Sequence, residues 1–321
     1  MTFKILNLEP EDYSDDAYSI IDRIADIDDG PLSRAELIEK IGDYDGIIVR
    51  LGHKIDEEVL SQASRLRVIV SATTGLNHID QDYAEQGGIK ILSLRGERDF
   101  LRTITATAEH TMGLMLSLIR HIIPAHCDVL SGAWNRDDYK GIDLDGKTLG
   151  IIGYGRLGSL VAGYAKVFGM KVLACDIIEH DQVEPGVNIV SMDDVLSQSD
   201  VISVHVSYSS KTHHLIDQNC FDKMKNGVFF INTARGEIVE ESALVNALRK
   251  KKIAGAAVDV IADENSKNAD WVLENDLVCY AKDNSNLIIT PHIGGATYDS
   301  MSKTEIFMAQ KLKKHIEAIT V

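Results

Sequence analysis

The stretch LGIIGYGRLGSLVAGYAKVFGMKVLACD, residues 149–176, decides the fold of this chain. It reads as an apolar strand, a turn with three glycines, a helix and a second apolar strand that ends in an acid. A G-x-G-x-x-G pattern alone is weak, because glycines occur in the loops of every kind of protein. Here the flanking strands and helix favour the βαβ unit of dinucleotide-binding domains.

Each glycine of the turn has its own expected task. Gly153 permits a tight turn, Gly155 lets the backbone approach a pyrophosphate, and Gly158 lets the helix pack closely on the strand. The first N–H groups of the helix favour phosphates. Asp176 lies about 20 residues downstream, where a carboxylate bonds the ribose hydroxyls and repels a 2′-phosphate, so NAD is the predicted cofactor. The residues predicted to bind it here are Gly153, Tyr154, Gly155, Arg156, Leu157, Gly158 and Asp176. The alternative is a glycine-rich turn in an unrelated α/β domain, with Asp176 capping a loop.

Length and composition bound the class of protein. A chain of 321 residues with 45% hydrophobic residues suggests about two packed domains. Its formal net charge of -16, with no basic run longer than RKKK, argues against nucleic acid or an anionic membrane as a partner. The cysteines are far apart and match no metal-binding spacing, so we expect reduced thiols, no metal and a cytoplasmic protein. No signal peptide or membrane span is expected.

Short apolar runs alternate with helix-like segments along the chain. The runs are FKILNL, DGIIVR, RVIVSA, IKILSL, LGIIGY, KVLACD, VISVHV, GVFFIN, GAAVDV and NLIITP. Runs of this kind, buried on both faces, predict parallel sheets covered by helices on both sides. The first four runs form one group, a long apolar helix is predicted around residues 112–123, and the following runs form a second group. We therefore expect an α/β fold of two doubly wound domains, the first completed by the last helix.

Three polar residues follow later strands at their carboxyl ends, where open α/β sheets place ligands. Arg235 lies in FFINTARGE, Glu264 in AAVDVIADEN and His292 in LIITPHIGGAT. Taken singly, they can also be a surface ion-pair residue, a solvated loop acid and a structural histidine. Together they match a chemistry: a guanidinium holds a carboxylate by two bonds, an imidazole exchanges a proton near neutral pH, and a carboxylate orients that imidazole. The predicted substrate is a small anion.

The chain resembles the D-isomer-specific 2-hydroxyacid dehydrogenase family. The resemblance extends through AEHTMGLMLSLIR, GAWNR, GKTLGIIGYGRLG, DVISVHVSYSSKTHHLI, MKNGVFFINTARGEIVEESALVNAL, GAAVDV and ITPHIGGAT, in that family's order and spacing. It implies a Rossmann-type NAD-binding domain, residues 101–292, inserted into a smaller flavodoxin-like substrate domain, residues 1–100 and 293–321. It also implies an NAD-dependent oxidoreductase that interconverts a D-2-hydroxy acid and its 2-oxo acid by hydride transfer. A homodimer through the cofactor domain is expected, by the helix around residues 112–123.

The resemblance implies individual roles as well. Arg235 resembles the carboxylate-binding arginine, His292 the general acid/base and Glu264 its partner. Further cofactor-binding residues implied by the family are Thr107, His205, Thr233, Ala234 and Asp259. The substrate-binding residues implied are Arg50, Thr74, Gly75 and Leu76.

The chain departs from the family pattern at several places. Asn265 stands where a proline usually follows Glu264, and the stretch ENSKNADWVLENDLVCYAKDNSN is longer than the common loop. Ser207 replaces another proline, and TTGLNHID differs from the commoner substrate loop, so the identity of the acid does not carry over. Two alternatives stay open. One is oxidation of another small donor such as formate or phosphite; the other is a non-catalytic, NAD-sensing protein resembling a transcriptional corepressor.

Overall fold

The computed structural model describes residues 3–30, 32–179, 183–264 and 270–320. The chain divides into two compact units. Unit 1 consists of Met1–Thr103 and Ala296–Val321, and unit 2 consists of Ile104–Gly295. The predicted domain boundaries, 100/101 and 292/293, each lie three residues before a boundary between the units.

The strands of the described residues are short, and most of them are buried. In chain order they are β1 Lys4–Asn7, β2 Asp26–Asp29, β3 Gly46–Val49, β4 Val68–Ser71, β5 Lys90–Ser93, β6 Thr148–Ile152, β7 Lys171–Cys175, β8 Val187–Ile189, β9 Val201–Val204, β10 Val228–Asn232, β11 Ile253–Val258 and β12 Leu287–Ile289. Of these, β2 and β8 are largely exposed.

The described residues also form α-helices, most of which bury at least one residue. They are α1 Asp15–Ile21, α2 Arg34–Lys40, α3 Glu57–Leu60, α4 Gln81–Gln86, α5 Arg98–Leu101, α6 Ala106–Ile119, α7 Ile122–Leu130, α8 Arg156–Val167, α9 Met192–Gln198, α10 Gln218–Lys223, α11 Glu241–Arg249, α12 Trp271–Glu274, α13 Asp276–Ala281 and α14 Tyr298–Thr320.

Unit 1 is built on a five-stranded sheet whose order is β2-β1-β3-β4-β5. All its strand pairs are parallel, and β3 and β4 are buried along their whole length. This order is that of flavodoxin-like sheets. The carboxyl-terminal helix α14 belongs to the same unit, where Met308 and Leu312 pack in one core with Ile21 of α1. Helix α14 therefore contributes to the core of the same unit as the amino-terminal strands.

Unit 2 is built on a seven-stranded parallel sheet whose order is β12-β11-β10-β9-β6-β7-β8. Counted from β6, this is the 3-2-1-4-5-6 order of Rossmann folds with one further parallel strand. One face of the sheet packs in a core around Phe221 and Phe230, and the other in a core around Met115, Ile151 and Val161. The α/β class predicted from the apolar runs is confirmed.

The glycine turn of residues 153–158 joins β6 to α8 in unit 2. Gly153 has a φ of +97°, a left-handed conformation that favours glycine. Gly155 caps α8, which begins at Arg156. A Cβ atom at Gly158 would overlap the carbonyl oxygen of Gly153, so this helix can lie against the turn only because Gly158 has no side chain. The strand, turn, helix and strand of the sequence prediction are all present.

The long helix predicted around residues 112–123 is two helices in the structure. Helix α6 ends at Ile119, and α7 begins at Ile122 after His121, whose φ of +51° breaks the helical path. Eight residues of α6 are buried, whereas α7 has none that is buried. No single helix among the described residues is long and apolar enough to cross a membrane; the bent pair Arg98–Ile119 and Ile122–Leu130 passes that test only jointly, by length and composition.

Two glycines of α8 allow the close packing at the turn to be tested. Gly158→Ala places a methyl group against a backbone oxygen that has little room to move, and we expect a loss of about 1–3 kcal/mol in the free energy of unfolding. Gly163→Ala is the matched control, because a Cβ there meets no atom within 4 Å. This control is expected to gain about 0.5–1 kcal/mol from helix propensity. Urea unfolding measures both, and equal gains would refute the close approach.

Candidate active site

Three neighbouring strands of unit 2 bring the predicted catalytic residues together. Strands β10, β11 and β12 pair in parallel, so their carboxyl ends share one edge of the sheet. Arg235 follows β10, Glu264 follows β11 and His292 follows β12. Residues that are far apart in sequence therefore start their loops side by side, as ligand sites of open α/β sheets do.

His292 and Glu264 form a direct hydrogen bond. His292 Nδ1 lies 2.5 Å from Glu264 Oε2, and both side chains are about three-quarters buried, at 24% and 25% exposure. Glu264 Oε1 accepts a second bond from the backbone N–H of Ile261 at 3.2 Å, which fixes the carboxylate. A carboxylate that accepts from Nδ1–H orients the ring and stabilises its protonated form. The other ring nitrogen, Nε2, is thereby left for proton exchange.

The backbone of His292 has a left-handed conformation, with a φ of +53°. Such a conformation costs a non-glycine residue about 1–3 kcal/mol and persists only where its surroundings hold it. Here Asp259 holds it. The backbone oxygen of Asp259 accepts from His292 N at 2.8 Å, and its carboxylate accepts from Ile293 N at 2.9 Å and Gly294 N at 2.7 Å.

Arg235 presents a largely buried guanidinium in the loop after β10. Burial lowers the pKa of Arg235, and the carboxylates of Glu264 and Glu237 act in the opposite direction. Its ordinary pKa is so high that the group remains a cation at neutral pH. Among the described residues its side chain donates one hydrogen bond, from Nη1 to the oxygen of Ala234 at 2.6 Å. Its remaining N–H groups can bind a carboxylate.

Glu241, in the first turn of α11, holds the loop that carries Glu264. Its Oε1 accepts from Ala262 N at 2.6 Å, and its Oε2 accepts from Asn275 Nδ2 at 2.8 Å. Burial raises the pKa of Glu241. Residues 265–269, including the predicted departure at Asn265, lie outside the described residues. Even without the proline at that position, Glu264 reaches His292.

The turn between β6 and α8 has the features that a dinucleotide requires. A Cβ at Gly155 would meet no atom within 4 Å, so open space adjoins the backbone at the start of α8. Asp176 follows β7, and its Oδ1 accepts from Ile178 N at 3.1 Å. A helix N-terminus beside an open turn, with an acid at the end of the next strand, fits the pyrophosphate and ribose of NAD.

The side chains between the motif glycines make hydrogen bonds and packing contacts within unit 2. Arg156 donates from Nη1 to the oxygen of Ile104 at 2.8 Å, and burial lowers its pKa. Tyr154 is buried, and its hydroxyl accepts from Glu184 N at 3.2 Å. Leu157 packs against the core of the sheet face.

The other predicted cofactor residues line the same edge of the sheet. His205 follows β9; its Nε2 bonds Ser203 Oγ at 2.8 Å, while its buried Nδ1 has no hydrogen-bond partner among the described residues. Burial lowers the pKa of His205 to about 4, so the ring is neutral at physiological pH. Thr111 donates to the oxygen of Thr107 at 2.7 Å, so Thr233 donates to Thr111 at 2.9 Å. Ala234, which follows Thr233 in the sequence, is buried.

The predicted substrate-binding residues all belong to unit 1. Thr74, Gly75 and Leu76 follow β4, and Thr73 Oγ1 donates to the oxygen of Gly75 at 2.7 Å. Arg50 follows β3 and is bonded within its own unit. Its Nη1 lies 3.3 Å from Glu305 Oε1, and its Nη2 donates to the backbone oxygens of Glu9 and Glu11 at 3.0 and 3.3 Å. These bonds favour a structural role for this guanidinium.

Comparison with known proteins connects this geometry to one family. The family model described as D-isomer specific 2-hydroxyacid dehydrogenase, NAD binding domain, matches residues 112–294. D-3-phosphoglycerate dehydrogenase of Archaeoglobus fulgidus is 37% identical over 292 residues, which are 90% of this chain and 53% of that protein. The chain thus spans about half the length of the phosphoglycerate dehydrogenases it matches.

Two further relatives match over nearly their full length. Hydroxypyruvate reductase of Thermotoga maritima is 34% identical over 285 residues, covering 89% of each chain. The crystal structure of D-lactate dehydrogenase from Aquifex aeolicus, complexed with NAD and lactic acid, superposes with a TM-score of 0.85. It is 29% identical, and the match covers 98% of this chain and 96% of that one.

Proposed function

Because the chain belongs to the D-isomer-specific 2-hydroxyacid dehydrogenase family, we propose that it interconverts a D-2-hydroxy acid and its 2-oxo acid with NAD. The observation that carries the proposal is the 2.5 Å bond between His292 Nδ1 and Glu264 Oε2. Arg235 follows the strand next to that of Glu264 and is a buried cation with unused donors. An oriented acid/base beside such a cation suits a reaction that moves a proton on a carboxylate-bearing substrate.

The residues of the site have separate tasks in this reaction. Bound NAD supplies the hydride acceptor for oxidation, and its reduced form supplies the donor for reduction. Arg235 holds the substrate carboxylate through two of its N–H groups. His292 gives a proton from Nε2 to the carbonyl oxygen in reduction and removes it from the hydroxyl in oxidation. Glu264 keeps the ring in place and stabilises the imidazolium that precedes proton donation.

The cofactor residues follow from the same unit. We infer that the open backbone at Gly155 and the first N–H groups of α8 receive the pyrophosphate, and that Asp176 bonds the adenosine ribose. Asp259 fixes the turn after His292. We propose that it also contacts the nicotinamide carboxamide, as the family resemblance implies. We propose that the rest of the cofactor site is lined by Thr107, His205, Thr233 and Ala234.

The names of the relatives support a short, anionic 2-oxo acid as the substrate. Curated relatives are called hydroxypyruvate reductase, glyoxylate reductase and glycerate dehydrogenase, at 34–36% identity. NADH oxidation with glyoxylate, hydroxypyruvate, pyruvate and 3-phosphohydroxypyruvate ranks these acids, and NAD reduction by formate or phosphite tests the other donors. Turnover of none of them would favour the non-catalytic alternative.

Partners and compartment follow from charge and thiol chemistry. We propose a cytoplasmic protein, because all four cysteines are free thiols, as in a reducing compartment. The net charge of -16 disfavours nucleic acid and anionic membranes as partners. The substrate itself remains the one small-molecule partner proposed besides NAD.

A homodimer is proposed through α7 and the segment after it. Helix α7 has no buried residue and exposes several apolar side chains: Leu130 is 74% exposed, and Trp134 just beyond the helix is 86% exposed. Ile122, Ile123 and Val129 add to this apolar surface. Contiguous apolar surface of this kind marks an interface, and a second copy of the chain is the commonest partner.

Replacement of His292 tests the proposed mechanism. His292→Gln removes the proton donor, so kcat for the best 2-oxo acid should fall by about 10²–10⁴. NADH binding, measured by fluorescence, and the unfolding temperature should stay near those of the parent. His315→Gln in α14 is the matched control and should keep full activity. If His292→Gln turns over at the parent rate, the proton comes from another group.

Replacement of Asp176 tests the choice of cofactor. The unmodified protein should use NADH in preference to NADPH, because the carboxylate repels a 2′-phosphate. In Asp176→Ala, the ratio of kcat/KM with NADH to kcat/KM with NADPH should fall by about tenfold. This change corresponds to roughly 1.4 kcal/mol in the relative activation free energy with the two cofactors. Glu179→Ala, which removes a nearby exposed acid, should leave that ratio unchanged. Equal kcat/KM values for the two cofactors in the parent would refute this assignment.

The oligomeric state tests the apolar surface of α7. Light scattering should report about twice the chain mass of 35.4 kDa. Leu130→Glu places a charge on the proposed interface and should yield a monomer. Val167→Glu is the matched control, since Val167 is 87% exposed on another helix. A parent that is monomeric, or a Leu130→Glu variant that stays dimeric, contradicts the proposed interface.

A further inference from the structure

The carboxylate of Asp259 is the point at which the turn after His292 is attached to the sheet. It is buried, at 1% exposure, and it accepts four hydrogen bonds. Two come from the backbone of Ile293 and Gly294, and a third comes from Thr290 Oγ1 to Oδ1 at 2.6 Å. The fourth comes from a residue on helix α6, His110, whose Nε2 lies 3.2 Å from Oδ1.

The hydrogen-bond pattern assigns a proton to this ring nitrogen. Thr290 has a single hydroxyl hydrogen, which it gives to Asp259. His110 Nε2 also lies 3.1 Å from Thr290 Oγ1, so both of its neighbours present acceptors to it. An imidazole nitrogen between two acceptors must carry its hydrogen and donate. His110 is therefore a donor that fixes Oδ1 of Asp259.

The position of His110 also links it to the turn by packing. A Cβ at Gly294 would lie 3.6 Å from Cδ2 of His110 and 2.8 Å from Oδ2 of Asp259. The ring thus adjoins the backbone two residues after His292. Among the described residues, His110 is the one basic side chain within 4.0 Å of the Asp259 carboxylate.

We propose that His110 is a positioning residue for His292 and acts through Asp259. The left-handed backbone of His292 is held by bonds to Asp259, and the orientation of that carboxylate is in turn set by His110 and Thr290. Loss of the His110 donor lets the carboxylate rotate away from Ile293 N, which frees the turn and displaces Nε2 of His292. Only the catalytic part of this inference rests on the proposed function. The geometric part concerns only the position of the His292 ring, which does not depend on what reaction the protein catalyses.

Two substitutions separate the donor from the ring shape. His110→Phe keeps a flat ring against Gly294 but has no N–H, whereas His110→Gln keeps an N–H group near the position of Nε2. We expect His110→Phe to lower kcat by about 10–100-fold, as small displacements of a reacting group do, and His110→Gln to retain most of kcat. His315→Phe is the matched control and should leave kcat unchanged.

A spectroscopic measurement tests the inference without turnover. The ring resonances of His292, assigned by their loss in His292→Gln, are recorded by NMR in the parent and in each His110 variant. They should shift in His110→Phe and stay near the parent positions in His110→Gln. If His110→Phe does not fold, His110→Met replaces it as the variant without a donor.

The outcomes distinguish this inference from the proposed function. A parent that reduces no 2-oxo acid, but whose His292 resonances shift in His110→Phe, refutes the proposed function and supports the positioning role. Unchanged His292 resonances in the variant without a donor overturn the positioning role, whatever the activity. Equal losses of kcat in His110→Phe and His110→Gln also overturn it, because they assign the effect to ring shape.

Discussion

The parallel pairing of β10, β11 and β12 is the constraint on which the site depends. Parallel strands end at the same edge of a sheet, so the loops that carry Arg235, Glu264 and His292 begin side by side. These strands run parallel because helices lead the chain back between them: α11 lies between β10 and β11, and α12 and α13 lie between β11 and β12. The backbone topology thus sets where the three loops begin, whatever side chains they carry.

A second layer of bonds converts this topology into a fixed geometry. The left-handed backbone conformation of His292 is strained. The energy of this strain is offset by hydrogen bonds from the backbone of His292 and Ile293 to the backbone oxygen and the carboxylate of Asp259. The loop that holds Glu264 is attached in a similar way by Glu241, which bonds both Ala262 and Asn275. The loops of His292 and Glu264 are therefore each held by a carboxylate, that of Asp259 and that of Glu241, which accepts hydrogen bonds from backbone N–H groups. Strain near the reacting groups persists because these bonds over-determine the loops.

Much of the fold and of the site could be predicted from the sequence, because those features are local patterns. Apolar runs predict strands, the glycine spacing predicts the turn, and a polar residue just after a strand predicts a ligand edge. Long-range pairs leave no such pattern. The bond from His110 to Asp259 spans 149 residues, and the bonds of Glu241 join a helix to a loop. In the sequence alone, His110 and Glu241 look like ordinary polar residues of amphipathic helices. The break at His121 was also missed, since apolar spacing continues through it.

The two arginines singled out by the sequence differ in how many of their hydrogen-bond donors are used among the described residues. Arg50 is held by Glu305 and by the backbone oxygens of Glu9 and Glu11, so its donors are engaged inside unit 1. Arg235 makes one side-chain hydrogen bond among the described residues, although a guanidinium carries five N–H groups. A buried cation with unused donors is costly unless an anion completes it. Because the net charge of -16 gives no general attraction for anions, local cations such as Arg235 are needed to attract the proposed carboxylate substrate.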